Sequence, residues 1–145
     1  MDLTKETRGL RNNNPGNIRH GNNWKGEVVG DDRAFESFEY VELGIRAIFV
    51  TLNTYRVKYK LTTVKQIIER WAPPSENNTN NYIVGALGYM AENSNKAKSA
   101  CDQYGEQLDV YKLDLYPELI AAIIYYENGY NPFNEDFIES CRDLL

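Results

Sequence analysis

The sequence predicts a mainly α (α+β) protein: a helical domain with a small β-hairpin near its N-terminus. Three observations carry this expectation. Beyond residue 42, apolar residues recur at helical spacing in one segment after another. Between Arg11 and about Tyr40 the pattern is short-period and rich in turns. A chain of 145 residues is long enough for one core and too short for two comfortable ones, so residues 11–145 read as a single domain behind an N-terminal tail, residues 1–10.

The turn signals come first. Asn12-Asn13-Asn14-Pro15-Gly16 and Gly21-Asn22-Asn23 are dense in residues that favour reversals. Around them lie three short strand candidates, Asn17 to His20, Trp24 to Val29 and Arg33 to Phe38, which fit a hairpin or a three-stranded flap. Ile45, Ile48, Phe49, Leu52 and Tyr59 predict a long helix from about Glu42 to Lys60. Val64, Ile67, Ile68 and Trp71 predict a second, stopped by Pro73-Pro74. A third follows from Tyr82, Ile83, Ala86, Leu87 and Met90, with Asn78 or Thr79 as N-cap. A further helical piece covers Ala97 to Tyr104. Pro117 suits the first turn of a helix that runs to about Glu127 and stops at Gly129. Phe137, Ile138, Cys141 and Leu144 mark the last helix.

Composition narrows the function. With 42% hydrophobic and 26% charged residues, the chain has the balance of a soluble globular protein. Its net charge of −5 offers no basic excess for phosphates, which argues against a nucleic-acid partner. Cys101 and Cys141 have neither metal nor redox spacing and read as core thiols or a single bridge. A zinc site or a Ser-His-Asp triad would rest on one histidine, His20, so no metal is expected. Met1 to Arg11 lacks the apolar segment of a signal peptide, and no stretch reaches membrane-span length. Synthesis in the cytoplasm is expected, and any work outside the cell needs another route out. Eleven tyrosines and abundant asparagines suit a polar groove whose rings pack while their tips hydrogen-bond.

The candidate chemistry centres on Glu127-Asn128-Gly129. These residues close an apolar run, Leu119 to Ile124, extended by Tyr125 and Tyr126. A carboxylate at the C-terminal end of a buried helix meets the negative end of the helix dipole and apolar neighbours. Both favour the protonated form that a general acid requires. The same residues also read as an ordinary helix ending with Gly129 at C′.

The segment Asn12-Asn13-Asn14-Pro15-Gly16-Asn17-Ile18-Arg19, with Trp24-Lys25-Gly26 and Phe35-Glu36-Ser37-Phe38, resembles a family of small phage and prophage proteins. So do Arg70 to Thr79, Tyr82 and Glu127-Asn128-Gly129. Those proteins are often labelled virion or structural proteins and are suspected of cell-wall hydrolysis. The chain is also similar, more distantly, to the glucosaminidases of the lysozyme-like superfamily. These carry a catalytic glutamate in a helix-ending Glu-Ser-Gly, followed by an Asn-x-Phe-Gly-Ile strand, a Trp-x-Gly turn and a Phe-x-x-Tyr strand. Here the similar pieces stand in rotated order, with the glutamate last, which implies a circularly permuted lysozyme-like domain. Asn128 stands where the serine is usual, and Pro15-Gly16 stands where Phe-Gly is usual.

The resemblance implies cleavage of peptidoglycan glycan strands by a lytic transglycosylase or glycoside hydrolase, with no cofactor. It makes Glu127 the general acid and Tyr82 the support for the reacting sugar. Asn17, Ile18 and Trp24 would line the cleft wall, His20 could point into the groove, and Asn128 would shape the floor. Asp31, Asp32, Glu36 and Glu76 are candidates for a second carboxylate, with Glu76 also placed to favour the positive end of the Tyr82 helix. The alternative is a non-catalytic virion structural or glycan-binding protein, partnered by other virion or export components.

Overall fold

Why the chain folds as it does is clearest at α6, Tyr116–Asn128. Pro117 starts it without losing a needed N–H, and Gly129, at φ 78°, ends it in the left-handed conformation that glycine enters without strain. Between these stops, Leu119, Ile120, Ile123 and Ile124 are wholly buried, each contributing roughly 1.5–3 kcal/mol of apolar burial. A helix apolar on so many sides must be wrapped. In the computed structural model, which describes residues 2–145, α6 packs against three elements: α1 (Arg8–Arg11), α4 (Thr79–Asn93) and α7 (Glu135–Arg142).

The remaining helices are α2 (Val41–Tyr59), α3 (Val64–Trp71) and α5 (Asn95–Tyr104), the last followed by a 3₁₀ turn at Gly105–Gln107. The expected helices are present, with ends set by caps. Thr63 and Gln66 form a reciprocal capping box on α3. Asn78, not Thr79, caps α4 by accepting from Asn81 N, while Thr79 Oγ1 donates to Ala72 O at 2.6 Å and closes the loop after α3. Ser94 and Asn134 cap α5 and α7 in the same way as Asn78. None of the helices is long and apolar enough to cross a membrane among the described residues.

The expected small hairpin is present, with strands shorter than the candidate segments. One antiparallel pair, β1 (Glu27–Val28) with β2 (Ser37–Phe38), is joined by a lone bridge between Arg19 and Phe35. The ladder ends early because Asp32 gathers the loop instead. Its carboxylate accepts from Arg8 Nε at 2.5 Å and Nη2 at 2.7 Å, from Asn12 Nδ2, and from the Ala34 and Phe35 amides. The Arg8 guanidinium, followed by those amides, holds Asp32 far below the usual carboxylate range.

Several side chains within residues 3–10, the segment expected as a tail, reach the rest of the fold. Leu3 and Leu10 enter the core, Thr7 Oγ1 donates to Asn128 Oδ1 at 2.7 Å, and Tyr130 OH donates to Glu6. Sequence pattern missed this because two buried leucines set seven residues apart show no periodicity. Leu3 and Asn13 border the same surface depression as Phe133 and Phe137, so the first and last parts of the chain meet there. Cys101 and Cys141 are free thiols, and burial pushes Cys141 up to about 11.

Candidate active site

The asparagine-rich turn builds one wall of the site. Asn13 and Asn17 have φ of 53° and 51°, a left-handed conformation that asparagine tolerates better than most residues. Asn14 is wholly buried, and its amide is fully used. Nδ2 donates to the Ile18 and Glu36 carbonyls, and Oδ1 accepts from Ile18 N. Asn12 and Asn13 bond to Asp32 and to the Phe38 carbonyl. These three asparagines therefore brace the turn against the hairpin. Asn17 is the one turned to the site.

Glu127 lies half-buried in the last turn of α6 and is held by two elements distant in sequence. Asn17 Nδ2 donates to its Oε1 at 2.9 Å, and Tyr82 OH, from α4, bonds its Oε2 at 2.7 Å. Tyr82 is 1% exposed and stacks on Tyr126, with ring centroids 3.8 Å apart. Burial first, and then the charge of Glu127, raise the Tyr82 phenol well above its ordinary value, so it remains a neutral hydroxyl. A hydroxyl can donate to a carboxylate or accept from a carboxylic acid, so this contact survives either protonation state of Glu127.

Glu127 borders a cleft of about 530 Å³ together with Asn17, Ile18, His20, Trp24 and Glu76. The cleft continues past Trp24, Tyr55 and Arg70 into a longer groove that reaches Tyr59. Arg70 lies over the Tyr59 ring at 3.8 Å, making a flat cation–aromatic surface along that groove. Trp71 and Tyr55 also face the cleft. Sequence reasoning had not named Arg70, Tyr55 or Tyr59 as site residues. The i, i+4 spacing of the two tyrosines on α2 was the available signal.

The other expected site residues sort clearly. Tyr82 reaches the site only through its hydroxyl, because its ring belongs to the core. His20 lines the cleft, yet both ring nitrogens are engaged, Nδ1 with Glu36 Oε1 at 2.6 Å and Nε2 with the Asp32 carbonyl at 3.0 Å. Those contacts, the Asp32 carbonyl first and then Glu36, raise its pKa. Asn128 does not line the cleft. It is buried, with Nδ2 donating to the Pro15 and Ile124 carbonyls and Oδ1 accepting from Thr7. It fastens the turn and α1 to α6. Of the four candidate second carboxylates, Glu76 alone lines the cleft, whereas Asp32 and Glu36 serve the hairpin.

The Asn128 geometry gives a direct prediction. Asn128→Ala leaves the buried Pro15 carbonyl without its donor and frees Thr7 from α6, and should cost about 1–3 kcal/mol, read as a fall in thermal midpoint. An unchanged midpoint would mean that these bonds hold nothing together.

The helical fold, the hairpin and the cleft belong to one continuous sequence, and that sequence is similar to a protein of a bacterial virus. No protein-family model matches it. The chain belongs to a family of phage proteins. A member of that family is Protein P5 of Pseudoalteromonas phage PM2, which is 39% identical over 142 residues, spanning 94% of this chain and 81% of that protein.

Proposed function

We propose that this protein cleaves the glycan strands of peptidoglycan, with Glu127 as general acid and then base, in a permuted lysozyme-like domain. The observation that carries the reading is the setting of Glu127. It stands at the end of an apolar helix on the edge of an elongated cleft and is held by Tyr82 and Asn17 from two separate elements. A carboxyl held at two points is oriented before substrate arrives, which is where much of the gain from general acid catalysis lies. The groove bearing Trp24, Tyr55, Tyr59 and Arg70 supports a linear sugar polymer, whose rings stack on aromatic faces. The meeting of the first and last parts of the chain supports the permuted order.

In this mechanism Glu127 gives its proton to the glycosidic oxygen as the bond from the anomeric carbon breaks. Tyr82 and Asn17 keep the carboxylate in place. Glu127 then takes a proton from the hydroxyl that attacks the anomeric carbon, a water in a hydrolase or the sugar's own hydroxyl in a lytic transglycosylase. No metal or organic group has a step to perform. Kinship with a phage protein supports a route to the wall through a phage particle or lysis.

Digestion of purified peptidoglycan, with products read by mass spectrometry, tests this. Anhydro-ended fragments identify a transglycosylase, and new reducing ends identify a hydrolase. Folded protein that releases no fragments from several wall types would sink the proposal in favour of a non-catalytic virion or glycan-binding role.

A further inference from the structure

The opposite end of α6 carries a second group of carboxylates, remote from the cleft. Glu118 stands in the first turn of α6, nine residues before Glu127, or about 13 Å along the helix. It is 8% exposed, and its Oε2 is buried with no hydrogen-bond partner. Glu135 and Glu139 stand one turn apart on α7. One oxygen from each of the three carboxylates lies within 4.8 Å of the others. Glu118 and Glu135 border a cavity of about 190 Å³, also lined by Ser94 and Asn131. This cavity shares no residue with the cleft.

A buried carboxylate oxygen without a partner is costly, and two more carboxylates beside it add repulsion. Lysine and arginine relieve the cluster only from a distance, Lys96 acting on Glu118 without a direct contact. Lys96 Nζ donates to the Asp114 carbonyl, Arg142 faces Asp114 at 3.7 Å, and none of the three glutamates forms a salt bridge among the described residues. The positive ends of α6 and α7 offset only part of three negative charges. An all-oxygen donor set without histidine or cysteine selects a hard cation. Oxygens about 4.8 Å apart or less fit around one Ca²⁺, whose ligands stand at roughly 2.3–2.6 Å.

We propose that Glu118, Glu135 and Glu139 form a Ca²⁺-type divalent cation site that clamps the start of α6 to α7. Water completes the ligand set, and the cation offsets the charge of the buried Glu118 carboxylate. The site is structural, and it is independent of the chemistry assigned to Glu127.

The test is calorimetric titration with CaCl₂ after chelation, alongside thermal unfolding. Wild type should bind about one ion per chain, and Ca²⁺ at about a hundredfold over its dissociation constant should raise the midpoint by roughly 5–10 °C. The double variant Glu135→Gln, Glu139→Gln changes positions at the surface or half-buried, so it should fold and lose at least about tenfold in affinity. Glu118→Gln should lose affinity as well. No saturable heat at up to about 10 mM CaCl₂, or undiminished binding by the double variant, would overturn the proposal.

Discussion

Glu127→Gln is expected to abolish glycan cleavage, lowering the rate by about 10²–10⁴, while the protein stays folded. The amide matches the carboxylate in shape and can keep the contacts from Asn17 and Tyr82, but it has no proton of the right acidity to give. Loss of product with an unchanged unfolding profile would assign the chemistry to this side chain. Retained cleavage would move the acid elsewhere in the cleft, with Glu76 next in line. Tyr82→Phe separates orientation from proton transfer: it removes one contact to Glu127 Oε2 and should slow cleavage far less than the Gln variant.

Gly44→Ala should be the most damaging single-methyl change in the chain. A Cβ at Gly44, inside α2, would stand 1.8 Å from the Asn13 carbonyl oxygen and 3.2 Å from Pro15 Cδ. Those atoms belong to the turn's backbone and its proline ring, so no side chain can swing aside. The helix and the asparagine turn must part, at an expected cost of about 3 kcal/mol or more and a fall in midpoint of roughly 10 °C. Because the turn carries Asn17, any cleavage activity should fall as well. Gly88→Ala is the matched control. Nothing lies within 4 Å of a Cβ there, and alanine suits the interior of α4 better, so it should stabilise by about 0.5–1 kcal/mol. Equal midpoints for the two variants would refute this account of the turn.

These variants show where sequence reasoning reached and where it stopped. The helices were legible because apolar periodicity is local: Ile45, Ile48, Phe49 and Leu52 declare α2 without any partner. The four-residue α1 was not, since Gly9 and Leu10 owe their burial to contacts with distant elements. Glu127 stood out by its apolar helix and glycine stop. Its neighbour Asn128 was read as cleft floor, yet the side chain turns inward to Thr7 and Pro15, a direction that adjacency in sequence does not encode. Asn12 to Asn14 were legible as a turn, but which amides are bonded internally was not, because free and bonded amides have the same letters. Glu118 and Glu135 are seventeen residues apart on different helices, and only their packing brings the carboxylates together.

The cleft also carries its own optical reporter. The chain has two tryptophans, Trp24 and Trp71, and both line the cleft beside Glu127. Intrinsic indole emission from this protein therefore originates wholly from the groove walls, with no background from elsewhere in the fold. A soluble glycan fragment entering the groove should change the colour or intensity of that emission without any label, whether or not a bond is cut.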